Sequence, residues 1–165
     1  MPKILIADDN EQVRKLLSAV LSKEANWNVC GQAANGRQAV LMAHELKPDL
    51  VILDFSMPML DGLRATAEIL KNSPAVPIIL YTLHKSDQVE QEAIRVGAKK
   101  VVSKTDSVDS LLQTIRELLG PALTTVVLPL ETTARTMEPL EQTSVMLEAR
   151  PKSSDRTPPQ SGEGI

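Results

Sequence analysis

The chain has 165 residues, of which 42% are hydrophobic, and this size and composition suit one compact domain with a substantial core. Its formal net charge is -3, so it has no overall positive field to attract nucleic acid or an anionic membrane. It has one Trp, one Tyr and one Phe, too few for a surface on which single-stranded bases stack. No apolar run approaches the roughly 20 residues of a membrane span. We therefore expect a cytoplasmic protein that neither binds nucleic acid directly nor inserts into a membrane.

The first part of the chain alternates short apolar runs with segments of helical period. Ile4–Ala7 predicts the first strand. Asn10 is placed to cap a helix whose apolar residues recur every three or four positions. Trp27–Ala33 predicts a second strand. The second helix follows the turn at Asn35-Gly36 and ends before Pro48, because proline cannot continue a helix.

The middle of the chain continues the same alternation. Leu50–Leu53 is an unbroken apolar run, which is typical of a central strand covered on both faces. A helix is predicted over about Leu63–Leu70, and Pro77–Tyr81 predicts the fourth strand. A further helix opens at Ser86-Asp87 and ends near Gly97, which suits the left-handed position after a helix C-terminus.

Two further elements complete the pattern, a strand at Lys100–Val102 and a helix at Ser107–Leu119. Five strands and five helices in strict alternation predict an α/β fold with a doubly wound, five-stranded parallel sheet. Such a sheet binds ligands at the carboxyl ends of its strands, near the point where the strand order reverses.

The composition changes after Gly120. Six of the eleven prolines lie in residues 121–165, together with many Thr, Ser and Glu residues and no sustained helical or strand period. We predict a folded domain at 1–120 and a mostly disordered tail at 121–165. Within the tail, Leu123–Leu130 is equally consistent with an extended piece packed on the domain and with the start of a linker.

Polar residues follow four of the predicted strands. Asp8 and Asp9 follow the first strand, Asp54 the third, Thr82 the fourth and Lys104 the fifth. The carboxyl ends of parallel strands share one edge of a sheet, so these side chains are expected to converge. Three carboxylates in one place repel one another and imply a compensating cation. Oxygen ligands without His or Cys favour a hard ion, and we predict Mg²⁺.

This set of residues suggests a reaction as well as a metal site. A carboxylate can attack phosphorus to give an acyl phosphate if the charge on the transferring oxygens is neutralised. Mg²⁺ and Lys104 supply that charge, and the Thr82 hydroxyl can donate to a phosphoryl oxygen. Asp54 is the best nucleophile because it stands alone at the end of the most apolar strand. The adjacent pair Asp8 and Asp9 is better suited to holding the metal.

The segment from about Pro2 to Leu119 resembles the receiver domain of two-component response regulators, the CheY-like family. The motifs that carry the resemblance are Asp8-Asp9, Asp54, Met57-Pro58, Asp61-Gly62, Thr82, Gly97-Ala98 and Lys104. The run Gly-Ala-Lys-Lys-Val-Val-Ser-Lys that ends at Lys104 is most similar to receivers attached to LuxR/NarL-type DNA-binding domains.

The resemblance implies the (βα)5 flavodoxin-like receiver fold and a phosphoacceptor role for Asp54, which a histidine kinase or a phosphotransfer protein would phosphorylate. It implies that Thr82 and Lys104 bind the phosphoryl group. It implies a Mg²⁺ site formed by Asp8, Asp9, Asp54 and the backbone carbonyl of Ser56. Such a protein assists its own phosphorylation and dephosphorylation but has no separate substrate, so we do not expect an enzyme. Its output would be altered contact with an unidentified downstream protein, and dimerisation on phosphorylation is common among its relatives.

Three positions depart from the residues usual in that family. Val101 stands where an aromatic side chain commonly swings inward on phosphorylation, so the usual aromatic switch is absent. Thr105 stands where proline is common, and we expect the loop after the fifth strand to be set differently. Leu83 replaces a small residue beside Thr82, and we expect it to slow phosphotransfer. His84 is either an exposed loop residue or a residue that tunes the lifetime of the acyl phosphate.

The same residues also bear on other classes of function. A receiver-fold module that binds proteins without phosphorylation is the alternative, which Leu83 and Val101 favour. A phosphatase of the haloacid dehalogenase type needs two aspartates separated by one residue, but Asn10 stands two positions after Asp8. Dinucleotide binding needs a glycine-rich first turn, which is missing here.

Overall fold

The computed structural model describes residues 1–120, so the predicted tail at 121–165, including Leu123–Leu130, lies outside the described residues. The strands are β1 Lys3–Ala7, β2 Asn28–Ala33, β3 Leu50–Asp54, β4 Ile78–Thr82 and β5 Lys100–Ser103. The helices are α1 Glu11–Leu21, α2 Gly36–Leu46, α3 Gly62–Asn72, α4 Asp87–Val96 and α5 Val108–Leu119. Within residues 1–120, no helix has the length and apolar character needed to span a bilayer.

The five strands form one parallel sheet in the order β2-β1-β3-β4-β5. This confirms the predicted doubly wound, flavodoxin-like α/β fold. The strand order reverses between β1 and β3, because β2 lies on one side of this pair and β4 and β5 lie on the other. The carboxyl ends of β1 and β3 therefore border the crevice in which such folds bind ligands.

Each helix begins directly after a polar residue whose side-chain oxygen accepts a backbone N–H of the first turn. These caps are Asn10, Asn35, Asp61, Ser86 and Ser107. A cap of this kind stabilises a helix by about 1 kcal/mol. The apolar pattern alone predicted that α3 starts at about Leu63. It starts at Gly62 because Asp61 caps it.

The core has two halves, one on each face of the sheet. Alternate residues of the central strands point to opposite faces, so Ile4 and Ile52 pack with α1 and α5, whereas Leu5 and Leu53 pack with α2, α3 and α4. Every residue of β3 is buried, which confirms the interpretation of its apolar run as a central strand.

Several strands extend beyond their apolar runs at the carboxyl end. Asp54 is the last residue of β3 and pairs with Tyr81, and Thr82 ends β4 and pairs with Ser103 of β5. These polar residues remain in the parallel ladder, which fixes their backbones at the edge of the sheet. The functional edge is thus built on rigid strands and on the short loops that follow them.

Candidate functional site

Three carboxylates meet at the carboxyl ends of β1 and β3. In the parallel register Ala7 lies beside Leu53, so the next residues, Asp8 and Asp54, are neighbours. Asp8 and Asp54 are buried and Asp9 is exposed, and one carboxylate oxygen from each lies within 4.8 Å of the others. The structure therefore brings together three of the residues predicted to hold a metal ion.

Lys104, from the loop after β5, places its ammonium between the two buried carboxylates. Lys104 Nζ lies 2.6 Å from Asp8 Oδ2 and 3.1 Å from Asp54 Oδ1. The Lys104 backbone N–H also donates to the carbonyl of Thr82 at 2.8 Å, which anchors the lysine to the end of β4. One ammonium beside three carboxylates leaves two negative charges uncompensated, which is the charge that a divalent cation would neutralise.

Burial and charge pull the ionisation of this cluster in opposite directions. Burial raises the pKa of Asp54 above its ordinary value, and the charge of Lys104 opposes that rise without cancelling it. Burial alone would lower the pKa of Lys104, but its hydrogen bond to Asp8 and the charges of Asp54 and Asp8 outweigh burial and raise it. Lys104 is therefore a firmly held cation, whereas the ionised form of Asp54 is disfavoured without further positive charge.

Thr82 lies beside these charged groups in a cavity of about 520 Å³. The cavity is lined by Asp9, Asn10, Val13, Leu16, Leu17, Asp54, Ser56, Tyr81, Thr82, Leu83, His84 and Lys104. Thr82 is 2% exposed, and its Oγ1 accepts the backbone N–H of His84 at 3.2 Å. Ser56, the remaining predicted metal-site residue, is exposed and also lines the cavity. All six predicted site residues thus border one space or contact a residue that does.

Residues 4–116 match the response regulator receiver domain family. The chain belongs to this family. The match covers almost all of the described residues, including the acidic cluster and Lys104.

Individual response regulators are similar to this chain in sequence and in fold. The chain is 35% identical over 115 residues to the response regulator protein VraR of Staphylococcus aureus, a match that covers 70% of this chain and 55% of VraR. The chain thus spans about half the length of the curated relatives that it matches. A LuxR-family response regulator from Aurantimonas is 27% identical with a TM-score of 0.70, covering 72% of this chain and 85% of that one. A solved CheX-CheY-BeF3-Mg complex from Borrelia burgdorferi gives 26% identity and a TM-score of 0.67, covering 72% of this chain and 89% of that one.

The structure shows where the three positions that depart from the usual receiver residues lie and what they contact. Val101 is 4% exposed and packs in the core half formed with α2, α3 and α4. Leu83 is 60% exposed and lies on the lining of the site cavity beside Thr82. After β5, Thr105 Oγ1 and Ser103 Oγ lie 2.7 Å apart, and the Ser103 Oγ also accepts the Thr105 backbone N–H at 3.2 Å. In this receiver a hydroxyl pair therefore holds the loop that presents Lys104.

Two glycines allow close approaches to backbone atoms that sequence reasoning missed, and one of these approaches is at Asp54. Gly62 belongs to the Asp61-Gly62 motif, and Gly36 to the turn at Asn35-Gly36. A Cβ on Gly62 would lie 2.3 Å from the carbonyl oxygen of Asp54, and one on Gly36 would lie 2.0 Å from the carbonyl oxygen of Leu60. α3 can therefore start directly beneath the Asp54 backbone only because residue 62 has no side chain. Nothing in a single sequence distinguishes such a close approach from an ordinary turn glycine.

Proposed function

We propose that this receiver accepts a phosphoryl group on Asp54, in a Mg²⁺-dependent reaction, from a histidine kinase or a phosphotransfer protein. One observation carries the proposal: Asp54, Lys104 and Thr82 line the same cavity, and Asp9 and Ser56 line it too. A nucleophilic carboxylate, a fixed ammonium and a hydroxyl donor are the groups that phosphoryl transfer to an aspartate requires.

The donor atoms fit Mg²⁺. Asp8, Asp9 and Asp54 offer carboxylate oxygens within 4.8 Å of one another, and Mg²⁺ prefers a few carboxylates together with water and phosphate oxygens. We assign the fourth protein ligand to the backbone carbonyl of Ser56. Bound Mg²⁺ would neutralise charge on the transferring phosphoryl oxygens. The Borrelia burgdorferi CheY complex, a solved relative, contains both BeF3 and Mg²⁺, which supports the same chemistry in this receiver.

The reaction follows from the positions of the protein groups. A carboxylate oxygen of Asp54 attacks the phosphorus of a phosphohistidine, the phosphorus–nitrogen bond breaks, and its electron pair leaves with the imidazole nitrogen. Lys104, which already lies 3.1 Å from Asp54, then pairs with a phosphoryl oxygen. The Thr82 oxygen accepts the His84 N–H, so the hydroxyl proton of Thr82 is free to donate to a second phosphoryl oxygen.

Phosphorylation would act by a population shift, since new contacts of Thr82 and Lys104 with the phosphoryl group favour one conformation of the α4–β5–α5 face. That face would change its affinity for a downstream protein or for a second copy of the chain. Val101 is not aromatic, so the shift cannot use the usual inward aromatic rotation. On this proposal the protein is a cytoplasmic phosphoacceptor and not an enzyme with a separate substrate.

We also propose that residues 1–120 form the whole phosphoacceptor unit. Removing 121–165 should then leave phosphorylation unchanged. If the truncated chain also keeps its partner binding, a docking role for the segment is excluded.

A second candidate is a module of the same fold that binds its partner without phosphate. Two observations favour it: Leu83 is 60% exposed beside Thr82, and Val101 replaces the aromatic switch. The two candidates differ in one respect, because Asp54→Asn abolishes function in the first and leaves it intact in the second.

The proposal is tested by the intact mass of the full chain after incubation with a small-molecule phosphodonor. We expect a gain of one phosphoryl group that requires Mg²⁺ and is lost in Asp54→Asn. Asp61→Asn is a matched control, because Asp61 is a cap of α3 outside the carboxylate cluster. If no phosphoryl group is gained and beryllofluoride does not bind, the phosphate-independent module is the better account.

A further inference from the structure

Arg14, in the first turns of α1, contacts the backbone of both acidic residues that follow β1. Its Nη1 donates to the carbonyl of Asp8 at 2.7 Å and to the carbonyl of Asp9 at 3.3 Å. Among the described residues it forms no ion pair with any carboxylate. Arg14 is partly buried, and its guanidinium therefore contacts the main chain of the acidic turn without pairing with either carboxylate.

The two acidic residues differ in how firmly the rest of the fold holds them. The Asp8 backbone N–H donates to Ala33 of β2, and the Asp8 carboxylate accepts the Asn10 backbone N–H and the Lys104 ammonium. Asp9 has no comparable support. Within residues 1–120, the hydrogen bond from Arg14 is the one that holds the Asp9 main chain.

We infer that Arg14 is a positioning residue that holds the Asp8-Asp9 turn so that the exposed Asp9 carboxylate faces Asp54 and the metal site. This inference rests on the proposed Mg²⁺-dependent function and extends it to a residue that would touch neither metal nor phosphate. Groups that orient metal ligands in this way commonly change metal affinity by about 10- to 100-fold when they are lost. Because Arg14 acts on the backbone, we expect a change near the lower limit.

The direction in which the Mg²⁺ affinity changes when Arg14 is removed distinguishes a positioning role from a purely electrostatic one. If Arg14 contributed only its positive charge, its removal would make the site more negative and would tighten Mg²⁺ binding. If Arg14 positions Asp9, its removal loosens the turn and weakens Mg²⁺ binding. Arg14→Met removes both the charge and the hydrogen bonds, whereas Arg14→Lys keeps the charge and shortens the reach of the donor.

The test is calorimetric titration of the metal-free full chain with Mg²⁺ alone. We expect Arg14→Met to raise the Kd by about tenfold and Arg14→Lys to give an intermediate value. Lys15→Met is the matched control on the same helix, because Lys15 is exposed and pairs with Glu11 at 2.8 Å, its one ion pair among the described residues. It should bind Mg²⁺ as the wild type does.

A second measurement is the rate of phosphorylation by a small-molecule phosphodonor over a range of Mg²⁺ concentrations. Arg14→Met should need about tenfold more Mg²⁺ for half its maximal rate, with the maximal rate retained. A lower maximal rate at an unchanged half-saturating concentration would overturn the inference.

The outcomes also separate this inference from the proposed function. If the wild type binds Mg²⁺ and Arg14→Met binds it equally well or more tightly, only the role of Arg14 is wrong. If Arg14→Met fails to fold, the Mg²⁺ affinity of Arg14→Lys is compared with that of the wild type instead, and equal or tighter binding again means that the role of Arg14 is wrong. If the wild type takes up no Mg²⁺, the Mg²⁺-dependent function is wrong and the inference falls with it.

Discussion

Replacing Lys104 with Met should strongly destabilise the metal-free domain. The Lys104 ammonium lies 2.6 Å from Asp8 and 3.1 Å from Asp54, and the three side chains are only 10%, 2% and 7% exposed. Met has a similar length and fills the same space, so the substitution removes charge more than volume. Two neighbouring carboxylates would then be buried without their shared cation.

The magnitude follows from these distances. At an effective dielectric constant of about 20, each ion pair corresponds to an attraction of about 5 to 6 kcal/mol. The cost of burying the ammonium offsets much of this attraction, and removing one partner of a buried pair typically costs about 3 to 5 kcal/mol. We expect a loss in that range at neutral pH. Because the pKa of Lys104 is raised, its stabilisation is present at neutral pH and is lost only as the pH rises through the folded-state pKa.

Urea unfolding of the full chain, with a chelator present, measures the effect. Trp27 is the one tryptophan of the chain and packs against the α1–α5 half of the core, so its fluorescence reports unfolding of the domain. Lys100→Met is a matched control, since Lys100 is an exposed residue of β5, the strand that leads into the loop of Lys104. It should change the free energy of unfolding by less than about 0.5 kcal/mol.

The result with Mg²⁺ completes this prediction. Saturating Mg²⁺ should restore part of the stability of Lys104→Met, because the metal replaces the missing positive charge beside the carboxylates. A loss no larger than that of Lys100→Met in chelator would refute the reasoning, since it would mean that the carboxylates do not depend on Lys104.

Three further predictions concern single residues. Because burial raises the pKa of Asp54, its folded form binds more protons than its unfolded form, and the metal-free domain loses stability as the pH rises from the ordinary aspartate pKa to the folded one. Asp54→Asn should therefore unfold at higher urea concentration than the wild type at pH 7 in chelator, with a difference that shrinks in acid; an equal or lower midpoint at pH 7 would contradict this. Gly62→Ala should destabilise the domain by at least about 2 kcal/mol in the same assay, because its Cβ would lie 2.3 Å from the Asp54 carbonyl oxygen; a loss of less than about 0.5 kcal/mol would contradict this close approach. Leu83→Ala should speed phosphorylation by a small-molecule phosphodonor, because it opens the cavity beside Thr82. Leu41→Ala, a change at another exposed leucine, should leave the rate unchanged. Equal rates in the two variants would mean that Leu83 does not hinder phosphorylation.

The fold could be predicted from the sequence because its signals are local. The apolar run at Leu50–Leu53 needs cover on both faces, and Asn10 and Ser107 cap helices through hydrogen bonds to their own first turns. The predicted strand ends were less accurate. Asp54 and Thr82 remain in the sheet although they are polar, because the neighbouring strands continue to pair with them.

The site residues could be collected from the sequence because parallel strands bring their carboxyl ends to one edge. The contacts among them depend on distances across the fold, which no pattern encodes. Lys104 contacts Asp8 across 96 positions of the chain, and Gly62 is required beneath Asp54 because two backbones approach there. Arg14 lies only six positions from Asp8, yet its hydrogen bonds depend on how α1 leaves the sheet.

The most direct test of the central claim is to locate the phosphoryl group. The phosphorylated full chain is reduced with borohydride, which converts an aspartyl phosphate to homoserine, and the digested chain is mapped by mass spectrometry. The account predicts homoserine at position 54 alone, formed only when Mg²⁺ and the phosphodonor are both present. Modification at Asp8 or Asp9 with Asp54 unmodified, or the same yield in Asp54→Asn, would contradict it.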